Sequence, residues 1–180
     1  MGNVYKETVN AAGNRSLVFL PYSRTLMKKF VPILLFVIIS YVAGYLSMLL
    51  QSGSLESWYP ALVKSSLTPP GYVFSIVWGV LYLLMGVAAG IIWSIRTAFS
   101  WVLTGMFFIQ LGLNILWSFC FFYLQSPIFG FASIIILILF LIVYISGCYI
   151  QERVTAFLNL PYLLWLLFAA YLNGYVMFNN

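Results

Sequence analysis

"FFIQLGLNILWSFCFF", residues 107–122, is apolar enough to cross a bilayer, yet it carries Gln110 and Asn114 near its centre. Hydrocarbon offers a carboxamide no hydrogen-bond partner, so an amide in such a run is stable only where it faces other protein. The stretch therefore reads as one helix of a bundle with its amides turned inward. An α-helix advances about 100° per residue, which puts Gln110, Asn114, Trp117 and Phe121 within about 60° of one another. One face thus joins two amides, an indole and a phenyl ring.

The flanking sequence extends this reading. Of 180 residues, 64% are hydrophobic, 19% aromatic and only 6% charged, with a mean hydropathy of +1.05. A soluble domain carries about a quarter charged residues, so this chain cannot clothe a water-facing surface. A spanning helix needs about 20 largely apolar residues. Five stretches supply them: 30–50, 72–95, 101–124, 127–149 and 154–178. The expected fold class is all-α, an integral membrane bundle of five transmembrane helices over residues 29–180. Residues 1–28 are read as a flexible polar and basic tail. The first span is too long for a signal-peptide core and lacks a small-x-small exit. "MGNVYK" places Lys6 where a myristoylation signal needs Ser or Thr.

Several chemistries are excluded by composition. Histidine and aspartate are absent, and the acids are Glu7, Glu56 and Glu152. No zinc site, Ser-His-Asp triad or Cys-His pair can be assembled from this inventory, and no histidine exists to ligate a haem iron. No carboxylate lies within a span to relay protons. No metal is expected. Cys120 and Cys148 sit in apolar runs and read as small hydrophobes.

The long connection is 51–71, "QSGSLESWYPALVKSSLTPPG", closed by Pro69-Pro70-Gly71. Proline fits at a helix entry because the first-turn N–H groups lack partners anyway. With Trp58, Tyr59 and Leu67 embedded in it, this segment is read as a packed lid. Lys64 could meet a ligand carboxylate at the rim, although a solvated loop lysine is the plainer reading. Arg24, Lys28 and Lys29 precede the first span, Arg96 follows the second and Arg153 the fourth, all on one side of a five-span chain. Basic loops stay cytoplasmic, so the N-terminus is expected there, with the lid and the C-terminus opposite. This asymmetry accounts for the net charge of +5 without a nucleic-acid partner.

Two more helical stripes match the first. Trp78, Tyr82, Met85 and Ala89 share a face of the second span, and Tyr162, Trp165, Ala169 and Asn173 a face of the fifth. Such faces suit a flat, greasy aromatic ligand oriented by a few amides. They equally suit a plain core, with amides bonding across helices; Asn173, near a helix end, reads as such a tie, and Gln110 reads either way. Gly86 and Gly90, in "GVAAG", have the spacing for close helix approach, within the chain or in a homodimer.

Three segments carry a resemblance: "WYPALVKSSLTPPGYVFSIVWGVLYLLMG" (58–86), "QLGLNILWSFCFF" (110–122) and "LPYLLWLLFAAYLNGYVMFNN" (160–180). In this order they resemble the TspO/MBR family, the tryptophan-rich sensory proteins related to the mitochondrial translocator protein. The resemblance implies a five-helix bundle, often dimeric, that binds tetrapyrroles such as protoporphyrin IX and haem beneath the first loop. No cofactor is required; the tetrapyrrole, or a drug-like aromatic molecule, is the ligand, and membrane lipid surrounds the bundle. The ligand-facing set it implies is Tyr59 and Pro69 in the loop, Trp78 and Tyr82, then Asn114, Trp117 and Ser118, then Trp165, Ala169 and Leu172. Periodicity adds Gln110. Some members degrade protoporphyrin in light and oxygen, and Trp78 and Trp165 match the tryptophans linked to that chemistry. They are candidate catalytic residues, and such turnover needs no acid or base. A transporter of porphyrins or lipids is the other alternative to a receptor. The chain departs from the family pattern where Lys64-Ser65-Ser66-Leu67 replaces Lys-Pro-x-Trp and where Ser75-Ile76 replaces Gly-Pro. Tyr175 has no basic residue after it, so the sterol motif proposed for animal members is incomplete.

Overall fold

The computed structural model describes Tyr5–Val9, Arg15–Phe19 and residues 22–180, with side chains from Phe30 onward. Two short strands, β1 (Tyr5–Val9) and β2 (Arg15–Phe19), pair antiparallel with Tyr5 opposite Phe19. Six helices follow: α1 (Tyr22–Glu56), α2 (Trp58–Ala61), α3 (Gly71–Ile95), α4 (Ala98–Ser118), α5 (Pro127–Gln151) and α6 (Arg153–Asn179). A single π-helical turn, Phe119–Tyr123, continues α4. Five of these helices, α1 and α3 to α6, are long and apolar enough to cross a membrane. The all-α, five-span reading holds.

Two boundaries differ from expectation. The stretch read as a tail contains the hairpin and the start of α1; Thr8, Val9, Val18 and Phe19 are residues that favour strands. Residues 1–4, 10–14 and 20–21 of that tail, and the side chains of Arg24, Lys28 and Lys29, lie outside the described residues. At its other end α1 runs to Glu56, well past the expected stop at residue 50. The extension is polar but partnered: Gln51 Nε2 donates to Ser118 Oγ at 3.0 Å, and Ser54 Oγ donates to the Phe122 carbonyl. Bonds to α4 and its π turn let polar residues continue the helix inside the bundle, so the lid shortens to residues 57–70.

Helix ends follow from local chemistry. Pro70 precedes α3. Thr97 and Ser100 form a reciprocal capping box at α4, with Ser100 N donating to Thr97 Oγ1 at 3.1 Å, which satisfies first-turn donors. Ser126 caps α5 with Pro127 behind it. Arg96, at φ 59°, closes α3 in the left-handed region.

Neighbouring helices contact in the order α1–α3–α6–α5–α4 and back to α1, a closed ring. Gly86 and Gly90 seat α3 on α1: a Cβ on Gly86 would lie 2.5 Å from Val37 Cα, and one on Gly90 would collide with the Ile33 backbone. The glycine pair therefore acts within the chain. Outward faces carry Leu34, Leu35, Ile38 and Val42 on α1 and Ile136, Leu139 and Val143 on α5, all exposed. An apolar belt of this kind belongs against lipid. The protein is an integral, multi-pass membrane protein.

Candidate functional site

Inside the ring the aromatic faces of α3, α4 and α6 meet. Trp78 stacks on Tyr82 (centroids 5.5 Å, 29°) and on Trp117 (6.0 Å, 28°), and Trp117 stacks in turn on Phe121 (6.3 Å, 14°). Tyr162 meets Trp78 edge-on at 6.0 Å. The result is a column of four near-parallel rings from the bundle middle towards the lid. The Tyr82 ring is admitted by Gly44 of α1, where a Cβ would come within 2.5 Å of Tyr82 Cε2.

Asn114 pins the lower end of this column. Its Oδ1 accepts from the Tyr82 hydroxyl at 2.8 Å, and its Nδ2 donates to the Tyr162 hydroxyl at 3.1 Å. One amide thus joins α3, α4 and α6. Ser118 accepts from Gln51 and ties α4 to α1. Gln110 is fully buried, and neither side-chain atom has a partner among the described residues.

Above the column lies a cavity of about 40 Å³, lined by Tyr59, Thr68, Phe74, Trp117, Phe121, Phe122, Ala169, Leu172, Asn173 and Val176. Of the residues read from sequence, Tyr59, Trp117, Ala169 and Leu172 reach it, while Trp78, Tyr82 and Asn114 lie in the column beneath. Pro69 is half-buried in the lid without lining it. Trp165 stands apart: its ring meets Phe74 edge-on at 5.5 Å, and it lines an outer groove of about 450 Å³ between α3 and α6 with Val77, Val80, Pro161 and Leu164. Phe74 is thus the partition between chamber and groove.

Thr68, Phe74, Phe122 and Val176 are lining residues that the sequence reading did not select. Phe122 joins Phe121 on one side because the π turn inserts a residue, an offset invisible to a 3.6-residue period. Their rings lie 4.8 Å apart, edge to face, under Trp58 and Tyr59.

The lid is pinned by polar bonds. Lys64 Nζ donates to the carbonyls of Tyr59 (2.8 Å), Pro60 (3.0 Å) and Leu62 (3.0 Å) and sits 5.1 Å from the centre of the Tyr59 ring. Three lid carbonyls thus take the ammonium protons, so Lys64, half-buried, braces the backbone of the lid while keeping its charge there. Asn180 pairs with both polar groups of Val63, accepting from N at 2.9 Å and donating to O at 3.2 Å. Ser65 and Tyr171 share a hydroxyl bond of 3.1 Å. Burial pushes the Tyr59 phenol above its ordinary value.

Residues 33–178 match the TspO/MBR family. The chain belongs to that family. It is 38% identical over 130 residues to the tryptophan-rich protein TspO of Archaeoglobus fulgidus, covering 72% of this chain and 84% of that protein. It is 31% identical over 148 residues to the translocator protein of Sus scrofa, covering 81% and 88%. Protein CrtK of Rhodobacter capsulatus is 27% identical over 119 residues, covering 65% and 74%. Each alignment is long enough to include several spans, so the TspO/MBR match concerns the bundle as a whole.

Proposed function

We propose that this TspO/MBR protein is a membrane receptor or sensor for flat aromatic ligands, with tetrapyrroles such as protoporphyrin IX and haem as its ligand class. The observation that carries the reading is the stack of Trp78 and Trp117 at 28° directly beneath the lidded chamber. Near-parallel rings favour a planar guest, because ring–ring contact can be exchanged for ring–ligand contact at little cost. The chamber of about 40 Å³ is far below the roughly 300–1,000 Å³ of drug-sized sites, so binding requires Trp117 and Phe121 to swing aside. With no histidine in the chain, haem is held through its ring faces rather than by an imidazole on iron.

The closed column supports receptor over transporter, since aromatic rings and the Asn114 tie block the interior below the chamber. Turnover of protoporphyrin in light is the second reading, favoured by the place of Trp78 in the stack. A bound photosensitiser would touch that indole, whereas Trp165 lies beyond Phe74. The lid and the C-terminus are proposed to face away from the cytoplasm, on the strength of the basic-residue asymmetry.

Titration of the purified protein with protoporphyrin IX, followed by tryptophan quenching, tests the assignment. Trp117→Leu is expected to weaken binding about tenfold or more, while Trp101→Phe, on an exposed outer position, leaves it unchanged. Equal loss in both variants would count against this chamber. Flux into sealed proteoliposomes would favour the transporter, and illuminated turnover above one ligand per chain with Trp78 intact would favour the enzyme.

A further inference from the structure

The seams of the helix ring are not alike. Gly86 and Gly90 close the α1–α3 seam, Gly147 against Leu103 the α4–α5 seam, and Gly130 against the Asn173 amide the α5–α6 seam. At each, an added Cβ would lie under 3.0 Å from the neighbouring helix. The α1–α4 seam is joined by the Gln51–Ser118 bond. The α3–α6 seam differs: a Cβ on Gly79 of α3 would meet nothing within 4 Å, and the seam widens outward into the groove of about 450 Å³. The groove wall is built of apolar and aromatic side chains, and Ile76, Val80 and Leu164 on it are each more than half exposed. Pro161 in its α6 wall has no N–H for the Phe157 carbonyl, which interrupts the helical ladder and gives α6 a point of bending. One ring separates this groove from the chamber. Phe74 lines the chamber and meets Trp165 of the groove edge-on at 5.5 Å.

Resting on the function proposed above, we propose that the α3–α6 groove is the entrance to the chamber, taking planar apolar ligands sideways out of the bilayer past Phe74. Two comparisons favour this route over the lid. Passage under the lid breaks the three Lys64 bonds, the Asn180–Val63 pair and the Ser65–Tyr171 bond. Passage at the seam only turns Phe74 and Trp165 against other apolar atoms. A ligand greasy enough for the chamber also gathers in the membrane, where the groove lies in its path. At about 450 Å³ the groove is within the roughly 300–1,000 Å³ of small-molecule sites, so it holds the guest beside the partition while Trp117 and Phe121 move. Deeper in the bundle, Asn114 ties Tyr82 of α3 to Tyr162 of α6, which confines the opening to the part of the seam nearer the lid.

The test is kinetic, on the full chain in phosphatidylcholine nanodiscs, with protoporphyrin IX delivered from phosphatidylcholine vesicles and followed by its own absorbance. Val80→Trp fills the groove from an exposed position. It is expected to slow association and dissociation alike by about tenfold, within the roughly one to three decades that association rates span among variants of one site, with equilibrium affinity kept. Phe74→Ala should speed both steps. Leu139→Trp, on the outward face of α5, and Asn180→Ala, which frees the lid, should change neither. Wild-type rates in Val80→Trp, faster association in Asn180→Ala, or weaker binding in Val80→Trp with association unaltered would each overturn the entrance. The two failures separate. A wild-type chain that binds no protoporphyrin sinks the tetrapyrrole reading and the entrance together, whereas saturable binding at rates set by the lid sinks the entrance alone.

Discussion

Asn114 and Gln110 are both carboxamides one turn apart on α4, and their environments assign them opposite energetics. Asn114 bonds two tyrosine hydroxyls from two other helices. Its loss orphans both hydroxyls where no water reaches. Asn114→Leu is expected to destabilise the bundle by about 2 kcal/mol, read as a lowered thermal midpoint in detergent. Gln110 makes no such bond among the described residues, so removing its polar atoms removes an uncompensated cost. Gln110→Met is expected to be neutral or to stabilise by about 1 kcal/mol, and a clear drop in the same measurement would show that the amide has a partner after all. That both amides face inward was legible in the sequence, because lipid permits nothing else. Which of them has partners depends on where Tyr82 and Tyr162 fall on neighbouring helices, and no single-chain periodicity carries that. The same gap hid Asn173, which reads as a helix tie but whose amide packs at Gly130 of α5 without a partner among the described residues.

At the scale of elements, the glycine pair and the π turn do most to shape the chamber. Gly86 and Gly90 bring α3 to within backbone contact of α1, and this places Tyr82 over Gly44 and Trp78 into the stack. Gly86→Leu is expected to cost about 3 kcal/mol through overpacking and to lower porphyrin affinity, with the mass of the detergent-solubilised particle unchanged. A change of oligomeric state with stability preserved would instead assign the pair to a homodimer. The GxxxG spacing announced close packing without naming the partner; only the fold chooses α1. The π turn at Phe119–Tyr123 was not legible at all, since "FCFFY" has no signature separating it from α-helix. Its extra residue turns both Phe121 and Phe122 towards Tyr59. The end of α1 is hidden for a related reason: Gln51 and Ser54 have the composition of a loop, and only Ser118 and Phe122 opposite them let the helix continue.

For the whole molecule, length and hydropathy sufficed to number the spans, because a bilayer tolerates few other solutions for a chain with so little charge. The ring order is a tertiary property, and so is the near-complete filling of the chamber by its own side chains. Orientation is testable directly. In a chain with Cys120 and Cys148 replaced by Ala, Leu67→Cys on the exposed lid is expected to react with a membrane-impermeant maleimide in intact cells. Arg96→Cys should react only after permeabilisation, and the reverse pattern would invert the topology. On the function proposed above, the closed aromatic chamber opens to admit a planar macrocycle between α3, α4 and α6. Determining the structure of the protoporphyrin-saturated protein tests it most directly. The macrocycle is expected beneath Tyr59, against Trp78 and Trp117, with the Trp117–Phe121 stack broken. A macrocycle lodged in the outer α3–α6 groove beside Trp165, with that stack intact, would contradict it.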